Sequence, residues 1–316
     1  MTAIPEPEHT TINAIDAYHQ SQQDKPRPHM GVSQLGQPCD RRLWLQFRWA
    51  VQERFPGRIL RLFRRGQDEE ARLIEDLRAA GLVISETDES GRQHAVRFSA
   101  HLSGSMDGIV ESGVPEAPHK PHVFEAKTHS AKSFSDMCKK GVEKSKPQHW
   151  AQCHAYMHGK GIDRALYVAV NKDDDSIYVE RIRYDKALAE KLVERGNRIV
   201  GSDRLPQPVS ADPSWYICKM CPAHAFCHKG ELPKEINCRT CLHATAGPNG
   251  WHCERWDSAI PEEWQRVGCG SHAIHPDLVP WKMLDSPDGV TAAYEIDGER
   301  VLVGEGGISS KEALGA

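Results

Sequence analysis

Two short stretches carry acids and a base at spacings that suit phosphate chemistry: Gly104-Ser105-Met106-Asp107-Gly108 and Phe124-Glu125-Ala126-Lys127. The second reads as a strand. On a strand, residues i and i+2 emerge from one face, so Glu125 and Lys127 stand side by side. With a second carboxylate at Asp107, the group can hold a divalent cation and steer a water beside it. Such an ion lowers the pKa of its water from about 15.7 towards 7 and shields the charge of a phosphate so that the water can attack it. The lysine is a compact cation that holds the water or the developing charge. Hydrolysis of a phosphodiester is among the slow reactions, for which a catalyst must remove on the order of 20 kcal/mol. By itself, the same pattern also describes an ordinary Glu-x-Lys pair on an edge strand.

The elements around these residues narrow the reading. Arg65-Gly66-Gln67-Asp68-Glu69-Glu70 opens a helical segment that runs through Leu73, Ile74 and Leu77 and stops at Gly81. Pro147-Gln148-His149-Trp150-Ala151-Gln152-Cys153-His154-Ala155-Tyr156 reads as a helix with proline in its first turn, ending at Gly159 and Gly161. Gln152 and Tyr156 are i, i+4 and share one face. Four motifs then follow in order: Gly66 to Glu70, Gly104 to Asp107, Glu125-Ala126-Lys127, and Gln152 to Tyr156. Over roughly residues 37–230 the chain resembles the RecB-like branch of the PD-(D/E)XK nuclease superfamily. The resemblance implies an α/β core, a mixed central sheet flanked by helices. It implies Mg²⁺ or Mn²⁺ held by Asp107, Glu125 and the carbonyl of Ala126, with Glu70 where many relatives carry His. It gives Lys127 the water, and Gln152 and Tyr156 the orienting of the lysine or of the DNA strand. The competing expectation for that last pair is a helix face packed on the sheet.

The 316 residues suffice for one large domain with an appendage, or for two. Charged residues at 27% and hydrophobic ones at 39% are ordinary for a soluble globular protein. The expected location is the cytoplasm: no apolar run approaches the roughly 18 residues of a membrane span, and residues 1–6 lack the features of a signal peptide. With a net charge of -4, any DNA contact must come from local patches. Arg58, Arg61, Arg64 and Arg65 form one such cluster, with no acid between Pro56 and Gly66. Lys132, Lys139, Lys140, Lys144 and Lys146 form another on a helix expected over 131–146. A solvated helix face explains each cluster equally well. Asp173-Asp174-Asp175 reads as the turn of a hairpin between 165–171 and 176–184 rather than as a calcium site. Helices are expected over 39–47 and 186–200, strands over 82–86, 95–99 and 101–110, and a hairpin over 291–303. Residues 304–316 are expected to fray.

The ten cysteines suggest metal ligation more than disulfides in a cytoplasmic protein. Cys218, Cys221 and Cys227 form one group of three, and Cys39 is the best fourth ligand, because Cys138 and Cys153 fall within helices beside the catalytic motifs. Spacing alone leaves zinc and an iron–sulfur cluster even. The one-plus-three pattern resembles the iron–sulfur nucleases of the same branch, including the CRISPR-associated exonuclease, and implies a structural [4Fe-4S] cluster tying the two ends of the domain together. Cys238, Cys241, Cys253 and Cys269 have the spacing of a structural zinc site, with His243, His252, His272 and His275 as spare ligands; a second iron–sulfur site or simple free thiols are the alternatives. So little periodic core surrounds them that a staple is expected.

The expected organisation is a flexible arm over 1–30, the nuclease domain with its cluster over 31–235, and a zinc-binding segment over 236–316. The expected function is a Mg²⁺- or Mn²⁺-dependent DNA exonuclease serving recombination, repair or CRISPR adaptation. Its expected partners are single-stranded or end-containing duplex DNA and a recombination or adaptation protein. No G-x-x-x-x-G-K-[ST] motor motif is present. The competing class is a non-catalytic nucleic-acid-binding module scaffolded by the two cysteine sites; a zinc-dependent regulatory protein is a third.

Overall fold

The computed structural model describes residues 9–286 and 290–315. The first half runs α1 (Thr10–Ser21), β1 (Met30–Gly31), α2 (Asp40–Phe47), α3 (Gly57–Ala79), β2 (Val83–Ser85), β3 (Ala95–Ser99), β4 (Leu102–Ser105), β5 (Gly108–Ser112) and β6 (His122–His129). It continues through α4 (Ala131–Ser145), α5 (Pro147–Lys160), β7 (Arg164–Asn171), β8 (Ile177–Arg183) and α6 (Lys186–Val200). The remainder is α7 (Tyr216–Lys219), α8 (His224–Lys229), β9 (Ala244–Gly247), β10 (Gly250–Cys253), β11 (Ser258–Ala259), α9 (Glu262–Gln265), β12 (Lys282–Asp285), β13 (Ala292–Ile296), β14 (Glu299–Val303) and α10 (Ser310–Leu314).

The fold is mixed α/β. A five-stranded sheet in the order β2-β5-β6-β7-β8 is antiparallel except for the parallel pair β6–β7. Interior strand β7 is buried from Ala165 to Asn171, which is why its sequence is a continuous apolar run rather than an alternation. The outer strand β8 alternates instead. The two faces of β6 divide the core. Phe124 and Ala126 pack with Leu73 and Ile74 of α3, while Val123 faces the side covered by α5. Local signals set the helix ends: Pro147 opens α5, Gly161 closes it at φ 66°, and the Asp185 carboxylate caps α6 by accepting from the Leu188 amide.

Three expectations change. The strand expected over 101–110 is two strands in two sheets: β4 pairs with β1 and β3, β5 with β2 and β6. The chain changes sheets at Met106-Asp107, where the Met106 amide bonds the His94 carbonyl. Residues 10–28 are docked rather than loose. Asp16 of α1 pairs with Arg61 of α3, and the Gln23 amide both donates to the Glu53 carbonyl and accepts from the Phe55 amide. Residues 310–314 form a helix capped by the Ser309 side chain rather than a frayed end. Residues 1–8, the start of the expected arm, lie outside the described residues.

The C-terminal segment also shares the main core instead of depending on its cysteines alone. Buried Arg239 donates to the Phe47 carbonyl at 2.9 Å and the Pro28 carbonyl at 2.7 Å, and its guanidinium lies 3.7 Å from the Trp49 ring centre. Arg48 answers from the other side by donating to the carbonyls of Arg239 and Ala244, and Trp251 stacks on Phe47.

Two glycines of the motifs differ in what holds them. A Cβ on Gly104 would sit 2.8 Å from the Val32 Cβ and 3.2 Å from the Tyr156 ring, whereas at Gly66 the nearest atom is the Thr128 hydroxyl at 3.8 Å. Gly104→Ala should therefore lower stability to urea by about 1–3 kcal/mol, as overpacking does. Gly66→Ala, inside a helix, should be neutral or raise stability by up to about 1 kcal/mol. Equal effects of the two changes would refute the close-packing account of Gly104.

Candidate active site

Strand β6 delivers Glu125 and Lys127 to one face, as the two-residue period requires. The change of sheet after β4 swings Asp107 across to meet them. An Asp107 carboxylate oxygen accepts from the Ala126 amide at 2.8 Å and lies 3.8 Å from the Lys127 ammonium. Lys127 also donates to the Ala126 carbonyl at 2.9 Å and makes a short contact with Glu125 Oε1. Glu125 is fully buried, and its Oε2 has no partner among the described residues.

The electrostatics are those of crowded acids around one cation. Burial pushes the Glu125 carboxyl up to about 8; Asp107 and Glu70 add to the shift and Lys127 opposes it. Burial, then the Asp107 charge, push Glu70 on α3 up to about 7. Burial alone would lower the Lys127 pKa, but Glu125 and Asp107 more than reverse it and keep the ammonium charged. Glu70 thus belongs to the same electrostatic group as the other two acids.

Gln152 and Tyr156 point inward. The Gln152 amide donates to the Tyr156 hydroxyl, which donates to the Ser105 carbonyl at 2.5 Å. Both side chains are buried. They hold the end of β4 just before Asp107, and among the described residues neither side chain makes a hydrogen bond to Lys127.

Three residues beside the site, Tyr167, His129 and His149, were not singled out from the sequence, and Cys153 was placed there without a role. The Tyr167 hydroxyl lies 2.8 Å from His149 Nδ1 and 3.1 Å from His129 Nε2. Burial, with Lys127 and Lys146 adding, lowers His129 to about 4 and His149 to about 3, so both rings are neutral at pH 7. Buried Cys153 adjoins the acids, which together with burial raise its thiol pKa. A signal existed: His129 is two residues past Lys127 on the same strand face, and His149 and Cys153 flank Gln152 on the inward face of α5.

The expected phosphate contacts divide. Arg61 is taken by Asp16, and Arg65 donates to the Lys172 carbonyl, whereas Arg58 and Arg64 are exposed. On α4, Lys140 pairs with Asp136 at 2.6 Å, while Lys139 and Lys144 are exposed.

Each cysteine quartet lines one small cavity: Cys39, Cys218, Cys221 and Cys227 in one, and Cys238, Cys241, Cys253 and Cys269 in the other. All eight thiols are free. Burial raises the thiol pKa of Cys238 to about 11 and of Cys241 to about 12, and the neighbouring cysteines add to it. Among the described residues His272 spends both ring nitrogens on Asn237, Thr240 and Ser310, whereas His243 spends only Nε2, on the Val290 carbonyl. Among the described residues no three His, Cys, Asp or Glu side chains are already gathered around a common ion position. The shared cavities therefore establish proximity, not coordination. No helix among the described residues is long and apolar enough to cross a membrane.

No known family model matches the chain, and no curated protein does. Among solved structures it is similar to SSO0001, at 16% identity and a TM-score of 0.41 over 70% of this chain and 97% of that one. It is also similar to the alkaline exonuclease LHK-Exo of Laribacter hongkongensis, at 17% identity and a TM-score of 0.41 over 60% and 90% of the two chains. The phage-related exonuclease of Haemophilus somnus 129PT matches at 18% identity and a TM-score of 0.29, over 42% and 65%. Likenesses this distant carry no functional argument, which rests on the site's own residues.

The raised carboxyls set a pH dependence. A carboxyl whose folded pKa lies above its unfolded value of about 4.3 binds more protons when folded. Stability from Glu70 and Glu125 is therefore complete below pH about 4 and is lost as pH rises through about 7 and 8. Urea melts without added Mg²⁺ or Mn²⁺ should show this decline between pH 5 and 9 (roughly the window those values define), and Glu125→Gln should flatten it. An identical slope in the variant would contradict the assignment.

Proposed function

We propose that this chain is a metal-dependent DNA nuclease of the PD-(D/E)XK type, acting on DNA ends as an exonuclease. The observation that carries the reading is the buried Glu125 oxygen with no partner, set among Asp107, Glu70 and Lys127. Unpaired buried carboxylates are costly; a divalent cation is the group that suits them. Asp107, Glu125 and the Ala126 carbonyl would hold Mg²⁺ or Mn²⁺, with Glu70 contributing. Bound there, the ion would supply charge shielding of the phosphate and an acidified water.

The chain's own residues do the rest. Lys127 keeps its charge at neutral pH and places an ammonium where negative charge develops on the phosphate. Tyr156, held by Gln152, fixes the Ser105 carbonyl and so the approach of Asp107. The neutral imidazoles of His129 and His149 back the lysine without adding a competing cation. A role in recombination, repair or CRISPR adaptation, with a partner protein of that process, completes the reading.

The two cysteine quartets belong to the same proposal as scaffolds: [4Fe-4S] at Cys39, Cys218, Cys221 and Cys227, and zinc at Cys238, Cys241, Cys253 and Cys269. Four free thiols lining one cavity favour a cation between them. A non-catalytic DNA-binding module is the second reading. It is favoured by Lys127 itself, which covers Glu125 Oε1 and the Ala126 carbonyl and so closes the site on an internal ion pair.

Cleavage of end-labelled DNA with Mn²⁺ decides between them. Lys127→Ala should slow cleavage by roughly 10²–10⁴ with little change in DNA affinity, the scale for one positioned acid–base or electrostatic group. Glu125→Ala should abolish it. Binding without any cleavage by the unaltered protein would favour the module.

Metal analysis tests the scaffolds. Protein purified without oxygen should be brown, and Cys39→Ser should lose the colour and the iron. About one zinc per chain should be lost in Cys253→Ser. Because Arg239 and Trp251 tie this segment to the main core, the Cys253→Ser protein should loosen locally and remain folded elsewhere. Zinc at both quartets would overturn the iron–sulfur assignment.

A further inference from the structure

A cavity of about 830 Å³ lies between the segment 20–29, the end of α2 and the start of α3. It is large enough for a ligand the size of one or two nucleotides. We propose that it binds unpaired nucleobases, and that the DNA reaching the carboxylates does so as a single strand. The inference deepens the nuclease reading and rests on it for the destination of the strand.

Position is the first observation. Leu60 and Phe63 of α3 line the cavity, and Glu70 of the candidate site is on the same helix. Seven residues span about 10 Å at ~1.5 Å each and return to within about 20° of the same helix face. That distance matches about three stacked nucleotides at ~3.4 Å each.

The lining is the second. Phe63 is 49% exposed and meets Phe55 edge-on at 4.9 Å, which leaves an open ring face for a base to stack on. Amides recur around it: Gln20, Gln34, Gln46 and Gln52. The buried Gln46 Oε1 has no partner among the described residues, and the side chains of Gln20 and Gln52 make no hydrogen bond among them. Amides match base edges, as in the pairing of Gln with adenine. Lys25 and Arg27 line the same cavity and offer cations to phosphates, while Arg54, also there, pairs with Glu235 at 3.5 Å. Of the two acids there, Asp24 and Glu53, the second is engaged by Arg42 and Gln46. Aromatic faces with amides and a basic edge suit unpaired bases, because a duplex hides base faces in its own stack.

The test is fluorescence anisotropy with a short labelled single strand and no divalent cation, so that cleavage does not enter. Phe63→Ala should weaken binding by about 5- to 100-fold, the effect of losing one stacked base, and Phe63→Tyr should restore it. Photocrosslinking of a 5-iododeoxyuridine strand to the unaltered protein should map to Phe55 or Phe63, which keeps the test independent of the variant's folding. Unchanged affinity in Phe63→Ala, or equal competition by a blunt duplex, would overturn the inference. If the unaltered protein cleaves while Phe63→Ala binds normally, only the cavity assignment fails. If binding depends on Phe63 but nothing is ever cleaved, only the nuclease reading fails.

Discussion

Lys127 has to neutralise more acid than one ammonium can. Glu125 is fully enclosed, Asp107 stands 3.8 Å from the same nitrogen, and Glu70 adds a third carboxyl to the field. A buried ion pair is weak evidence for stability, since its desolvation cost can exceed its attraction. Here the excess of acid makes the arrangement worse as a structural device and better as a cation site. The surrounding architecture serves that imbalance: β6 sets the spacing of two of the groups, the sheet change at Met106-Asp107 brings in the third, and α3 the fourth.

The helix behind the site is as specialised as the strand in front of it. Along its inward face α5 carries His149, Gln152 and Tyr156, and each ends against something fixed: the Tyr167 hydroxyl, the Tyr156 hydroxyl and the Ser105 carbonyl. Gly104 lets that helix approach, since a side chain there would collide with Val32 and Tyr156. Helix and strand therefore form one positioning unit for Asp107, tied together where Tyr156 bonds the Ser105 carbonyl.

The cysteine-rich end is joined to this unit through two arginines. Arg239 and Arg48 are each nearly inaccessible, and between them they bond four backbone carbonyls from three separate parts of the chain. Guanidinium suits the task because its several donors lie in one plane and its face stacks on Trp49. The segment after residue 235 thus adds to the wall of the molecule and, through Arg239 and Trp49, to the frame of the cavity beside α3.

Local information was legible in the sequence. Period-two strands, proline and glycine at helix ends, and acids with a lysine on one strand face all depend on residues a few positions apart. They located β6 to β8, α3, α5 and α6, and the Asp107, Glu125 and Lys127 group. The two cysteine quartets were legible too, as sets that share a cavity. Only the tertiary structure decided which sheet each strand joins, that Gln152 and Tyr156 turn inward, that His129 and His149 meet at Tyr167, and that residues 10–28 dock. Those outcomes rest on contacts between residues far apart in the chain, such as Tyr156 with Ser105 and Arg239 with Phe47, 51 and 192 positions apart. A periodic pattern shows which side of an element is buried, but the neighbour that buries it is set by the packing of the whole chain.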